Sequence, residues 1–192
     1  MNLSAVILAG GQSRRMGQDK AWLDFGGRPL IAHAVEVVRD LGVTEIFISG
    51  RAGVDYSALG CPVVPDREPG AGPLAGIEAG FAAIESPLLL VLAVDLPNMT
   101  AAFLRKLADG CDSMTGAVPE LKGGLEPLAA IYPKRCHEIV QDCLLKNRRS
   151  ARDFATACLG QGGVRKFPVL KADKGCFTNW NTPSDVSRGR VT

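Results

Sequence analysis

The stretch Val6-Ile7-Leu8-Ala9-Gly10-Gly11-Gln12-Ser13-Arg14-Arg15-Met16-Gly17-Gln18-Asp19-Lys20 decides how this chain is read. A short apolar run feeds straight into a loop rich in glycine and cationic side chains. Glycine lets backbone approach an anion closely and aim its N–H groups at it. Arg14, Arg15 and Lys20 add the positive charge that a polyphosphate needs neutralised. The spacing excludes the two commonest phosphate loops. A Walker A loop reads G-x-x-x-x-G-K-[ST], whereas here Gly11 and Gly17 are six apart and Gln18 stands where lysine belongs. Gly10-Gly11-Gln12-Ser13 does not supply the dinucleotide fingerprint G-x-G-x-x-G either. The competing reading is a glycine-rich surface loop with solvated arginines.

Bulk properties narrow the class. The 192 residues suffice for one domain, 1–192, with a sizeable core. A net charge of +2 gives no bulk case for nucleic acid or an anionic membrane surface. No apolar run approaches the roughly 18 residues of a spanning helix. The first residues lack the pattern of a secretory signal, so a cytoplasmic location is expected. The six cysteines show neither C-x-x-C nor metal-finger spacing and read as reduced, structural thiols. Cys136 and Cys143 are seven apart and share a helix face. His33 and His137 fall in helical patterns and read as packing or surface residues.

Strand-like runs occur at Leu3–Leu8, Glu45–Ser49, Pro62–Val64, Leu88–Val94, Met114–Val118, Leu128–Tyr132 and Val164–Val169. Between them, Leu30, Ala34, Val37, Val38 and Leu41 recur at helical spacing with Pro29 at the first helical position. Leu74, Ile77, Phe81 and Ile84 do the same behind Pro73. Thr100 and Ser150 are placed to cap two further helices, and Thr182-Pro183-Ser184-Asp185 to open a last one. Alternating strands and helices predict an α/β fold with a mostly parallel, Rossmann-like sheet covered on both faces. The phosphate loop then lies at the carboxyl edge of the sheet, where such folds bind ligands.

The pattern G-G-x-S-x-R-M-G-x-x-K after a first strand resembles the signature of sugar-nucleotide and cofactor nucleotidyltransferases. With Leu8-Ala9-Gly10-Gly11 and a closing Asp19-Lys20, it looks most like that of the molybdenum cofactor guanylyltransferases. The resemblance implies the nucleotide-diphospho-sugar-transferase type of sheet. It carries Leu8, Ala9, Gly10, Gly11 and Lys20 into the nucleotide contacts, the Gly10 and Gly11 amides cradling phosphates. Arg15 and Lys20 would stabilise the triphosphate and the leaving pyrophosphate.

Further constellations converge on the same edge. Asp95 ends the buried Leu88–Val94 run and precedes Leu96-Pro97-Asn98. Mg²⁺ prefers one or two carboxylates together with phosphate oxygens and water, which suits Asp95. V-D-x-P resembles the family's metal-binding position, and the alternative is an aspartate capping the helix after Thr100. Gly70-Ala71-Gly72-Pro73-Leu74-Ala75-Gly76-Ile77 crowds glycines at a helix start, where free N–H groups and bare backbone admit a flat ring. It also resembles the guanylyltransferases, with Gly72 and Leu74 as nucleotide contacts, or it simply opens a helix.

By the resemblance Asp66 touches base or ribose. The family's neighbouring asparagine is replaced here by Ser49, which keeps a hydroxyl for that contact. Near the end, Asn179-Trp180-Asn181-Thr182-Pro183-Ser184-Asp185 resembles the family's C-terminal motif. In extended chain Asn179 and Asn181 point the same way. They would complete Mg²⁺ coordination, with Asn181 joining Asp95 as a metal ligand, or bind the second substrate. The alternative is a helix cap preceded by a turn. Gly124-Leu125-Glu126-Pro127-Leu128 resembles a family segment near the pterin site.

The reaction implied is Mg²⁺-dependent transfer of GMP from GTP to the terminal phosphate of molybdopterin, releasing pyrophosphate. GTP and molybdopterin would be the substrates and molybdoenzyme maturation proteins the candidate protein partners. Two alternatives stand beside it. One is cytidylyl or other nucleotidyl transfer to a phosphorylated acceptor. The other is a non-catalytic module that binds GTP and pterin.

Overall fold

A computed structural model describes residues 2–10, 20–65 and 71–180. Its elements run β1 (Leu3–Leu8), β2 (Asp24–Phe25), β3 (Arg28–Pro29), α1 (Leu30–Asp40), β4 (Ile46–Ser49), β5 (Val63–Val64), α2 (Pro73–Ala83), β6 (Leu88–Ala93), α3 (Ala101–Ala108), β7 (Gly116–Leu121), β8 (Gly124–Leu125), β9 (Ala129–Pro133), α4 (Cys136–Leu145), α5 (Ala151–Gly160) and β10 (Val164–Pro168). Every strand expected from the sequence is present, with ends shifted by at most three residues, the largest shift being from Val118 to Leu121 at the end of β7. Pro29 sits one position outside α1, at its N-cap, rather than at the first helical residue.

The main sheet has the order β10-β7-β9-β6-β1-β4-β5, with β8 paired to β7. β1 lies between β4 and β6 and is parallel to both. From β1 the chain winds outward through α1 to β4 and β5. It then crosses back through α2 to β6 on the other flank of β1. This reversal opens a crevice beyond the carboxyl end of β1, the position at which doubly wound sheets take ligands.

Two strands depart from the parallel rule. β8 is antiparallel to β7, and β9 is antiparallel to both β6 and β7. The cause is local: β7 and β8 pair as a hairpin, Leu121 opposite Gly124, so the chain reverses without a helix. Gly124 has φ 110°, which glycine adopts without strain. A second hairpin, β2–β3, turns at Gly26 and Gly27 with φ of 62° and 89°. Two consecutive positive φ values define the tight turn that matches strand twist.

Alternation along β1 splits the core. Ala5 and Ile7 face α1 and α3, whereas Val6 and Leu8 face α2, α4 and α5. All six residues of β6 are buried, as a strand covered on both faces requires. α2 is buried on almost every side, from Leu74 to Phe81, because α4 covers its back. Its depth is set by two glycines one turn apart. A Cβ on Gly76 would stand 2.7 Å from Leu8 Cδ2 and one on Gly80 would stand 2.9 Å from Val6 Cβ. Only bare backbone fits that close to β1. The one buried acid of α2, Glu78, meets His137 of α4 at 3.2 Å, and the imidazole stacks on Phe81. His137 is thus a packing residue between two helices, as expected.

Candidate active site

At the carboxyl end of β1 the parallel ladder continues one step past the strand. Ala9 N–H and Gly10 N–H both donate to the Ser49 carbonyl, at 2.8 and 3.0 Å. The Gly10 amide, which the resemblance assigns to a phosphate, is bonded to β4 in this structure. Leu8 and Ala9 are 7% and 4% exposed, so their side chains belong to the core and only their backbone reaches the crevice. Gly11 and Arg15 lie outside the described residues. The chain returns at Lys20, in a short 3₁₀ turn of Lys20–Trp22.

Asp95 stands just beyond β6. Val94 N–H donates to the Leu8 carbonyl at 3.2 Å, which ties this loop to the end of β1. The Asp95 carboxyl is half-buried, and burial pushes it above the usual carboxylate range while the Lys20 ammonium pulls it back. The capping alternative fails. α3 is capped by Thr100, whose hydroxyl accepts from Phe103 N–H at 3.2 Å.

A second carboxylate faces the same edge. Burial also pushes the Glu126 carboxyl up, Arg152 lowers it, and the Asp95 charge raises it further. Arg152 approaches Glu126 at 3.6 Å from the first turn of α5. Among the described residues no group of three or more His, Cys, Asp or Glu converges to hold a metal ion unaided. A half-buried carboxylate with one lysine nearby instead fits a Mg²⁺ that arrives with phosphate oxygens and water in its shell.

The N-terminus of α2 forms the opposite rim. Gly72 has φ 69° and ψ −152°, a conformation open to glycine, and Pro73 opens the helix. Pro73 has no N–H to offer, and Ala75 N–H turns back to the Gly72 carbonyl at 3.3 Å. Leu74 is fully buried, so only its backbone can meet a ligand. Ser49 is 2% exposed and packs beneath Gly76. Its carbonyl fixes the start of the loop, whereas its hydroxyl lies against Gly76 of α2. Asp66 lies outside the described residues.

From the far end of the chain, Trp180 N–H donates to the Asp95 carbonyl at 3.0 Å. Trp180 is 6% exposed while Asn179 is exposed, as alternation in extended chain predicts. Asn181 lies outside the described residues. The structure places Lys20, Asp95, Gly72 and Asn179 along this edge, and sequence reasoning missed what holds them. Trp180 was quoted only as a spacer between two asparagines. The Asp24-Phe25-Gly26-Gly27-Arg28 hairpin was not recognised, although its paired glycines were a signal.

Comparison with known proteins agrees with this geometry. A family model described as the MobA-like NTP transferase domain matches residues 5–163. The chain belongs to that family. A protein of Opitutus terrae named probable molybdenum cofactor guanylyltransferase is 38% identical over 98% of this chain and 95% of its own length. The molybdenum cofactor guanylyltransferase of Pseudomonas fluorescens is 35% identical, covering 94% and 90%. Among solved structures, the molybdopterin-guanine dinucleotide biosynthesis protein A of Archaeoglobus fulgidus superposes with a TM-score of 0.75 at 25% identity, covering 97% and 96%. The 2-C-methyl-D-erythritol 4-phosphate cytidylyltransferase of Thermus thermophilus gives 0.75 at 20% identity, covering 98% and 97%, and shares the fold. Membership of the MobA-like family makes this chain a nucleotidyltransferase. No described helix is long and apolar enough to cross a membrane.

Proposed function

We propose that this chain transfers GMP from GTP to the terminal phosphate of molybdopterin, with Mg²⁺, and that it does so in the cytoplasm. The observation that carries the reading is the meeting of Lys20, Asp95 and the Trp180 backbone at the end of β1 and β6 in a MobA-like chain. The names of its relatives support guanine and the pterin acceptor. Six free cysteines suit a reducing compartment.

In the proposed reaction an oxygen of the pterin's phosphate monoester attacks the α-phosphorus of GTP. The bond from that phosphorus to the bridging oxygen of the β-phosphate breaks, and pyrophosphate leaves with the electron pair. A monoester has its second pKa near ~6 and is largely dianionic at neutral pH, so no general base is required. Catalysis then rests on positioning and charge. Lys20 and Arg15 offset the charge of the triphosphate and the departing pyrophosphate. Asp95, with Asn181, would hold Mg²⁺, which when bound supplies Lewis-acid neutralisation of phosphate charge. Backbone at Gly11, Gly72 and Leu74, together with Asp66, would receive the nucleotide. Ser49 would shape the nucleotide side through its carbonyl, which holds the Ala9 and Gly10 amides. Asn179, Glu126 and Arg152 face the acceptor side, and molybdoenzyme maturation proteins would take the product onward.

The test is incubation of purified protein and Mg²⁺ with molybdopterin and, separately, α-labelled GTP, CTP, ATP and UTP. Label entering the pterin from GTP alone is the expected result. Label from CTP would overturn the base assignment, and tight GTP binding without pyrophosphate release would favour a binding module.

A further inference from the structure

Asp95 is held from two sides by elements distant in sequence. Trp180 N–H donates to the Asp95 carbonyl at 3.0 Å. Two residues on, the Pro97 carbonyl lies 2.9 Å from Nε2 of His33, on α1. A carbonyl oxygen can only accept, so Nε2 carries the proton and donates. Between His33 and Trp180 stands Phe25 of the β2–β3 hairpin. Its ring is 4.9 Å from the imidazole and 5.2 Å from the indole, edge-on to the latter. The three rings form one continuous aromatic contact, with Trp180 in the core on the α1 side of the sheet.

Each ring either belongs to a segment that carries a residue of the site or bonds one. Phe25 follows Lys20 within the same short connection. His33 and Trp180 bond the loop that bears Asp95. Trp180 stands between Asn179 and Asn181, and its burial turns Asn179 to the opposite, exposed side. We propose that Phe25, His33 and Trp180 are positioning residues that hold the Lys20, Asp95 and Asn179 segments in register for nucleotidyl transfer. The inference rests on the nucleotidyl-transfer reading for its kinetic consequence, not for its structural one. Packing alone would need only apolar bulk at position 33. A histidine that both packs at a tilt against Phe25 and donates to the carboxylate's loop does more than fill space. Displacing catalytic groups by about 1 Å costs up to roughly hundredfold in rate, so a small slackening here reaches the chemistry.

The experiment compares Trp180→Leu with Trp180→Phe, and His33→Phe with His33→Gln, by amide hydrogen exchange without ligands and by steady-state kinetics. In Trp180→Leu the amide at position 180 should exchange about tenfold faster or more, since its bond to Asp95 opens locally. Its kcat should fall roughly ten- to hundredfold with KM for GTP little changed. Trp180→Phe, which keeps an aromatic edge, should restore both. His33→Phe keeps the ring and drops the bond to Pro97, so it should loosen the 94–99 amides and lower kcat, with Gln recovering part of both. The proposal is overturned if Trp180→Leu keeps the wild-type protection at position 180, if kcat is unmoved while only Tm falls, or if Phe rescues no better than Leu. Should Trp180→Leu not fold, the His33 pair decides by the same readouts. A wild-type protein that transfers no GMP would sink the functional reading, and the exchange measurements would still decide the coupling.

Discussion

A Cβ on Gly76 would stand 3.0 Å from the Cβ of Ser49, closer than side chains normally pack. Helix α2 therefore rests on the end of β4 through bare backbone, and this contact sets the height of its N-terminus beside the crevice. Gly76→Ala should push the helix outward or strain the contact, at about 1–3 kcal/mol, the usual cost of overfilling a packed core. Tm should drop by roughly 2–4 °C per kcal/mol for a chain of this size. KM for GTP should rise as well, since the rim of the site moves. A Gly76→Ala protein as stable as wild type would show that α2 is not seated as described.

Gly72 offers a cleaner separation of binding from stability. Its φ of 69° lies where an L side chain is strained, yet a Cβ there would meet nothing within 4 Å. Gly72→Ala should cost about 1–3 kcal/mol through backbone strain alone. By redirecting the first turn of α2 it should raise KM for GTP and leave kcat nearly unchanged. Parallel measurement of unfolding and steady-state kinetics checks both halves.

Cys111 provides a pH signature. Its thiol donates to the Leu107 carbonyl at 3.3 Å, and burial pushes its pKa up to about 11 from 9.0. The unfolded chain loses this proton first, so between those values the folded state binds more protons. Stability must therefore fall as pH rises through that window. Cys111→Ala should flatten the alkaline limb of a stability-against-pH curve. In the native protein at pH 8 Cys111 should resist alkylation, because its reactive thiolate is scarce.

How much of this was legible in the sequence follows from which forces are local. Leu88–Ala93 reads as a doubly covered strand because burial on both faces demands an uninterrupted apolar run. Thr100 and Ser150 read as caps because their bonds, to Phe103 and Asp153, span three residues. Asp95 and Lys20 were found from motif and strand-end position. The antiparallel β9 and the aromatic contact were not legible, since both depend on where distant segments meet. The bond of the Gly10 amide to β4 was not legible for the same reason. Nothing near Gly10 in the chain announces that Ser49, on another strand, takes its N–H.

The central claim is that the edge formed by Lys20 and Asp95 performs nucleotidyl transfer to the pterin. Its most direct test is pyrophosphate release under single-turnover conditions, with wild type and Asp95→Asn, in the presence and absence of molybdopterin. The account predicts one pyrophosphate per pterin consumed by wild type and none without pterin. Asp95→Asn, folded by circular dichroism and thermal unfolding, should be at least about a hundredfold slower, some 2.7 kcal/mol in the barrier. Release without pterin, or an Asp95→Asn protein retaining more than about a tenth of the rate, a loss under ~1.4 kcal/mol, would contradict it.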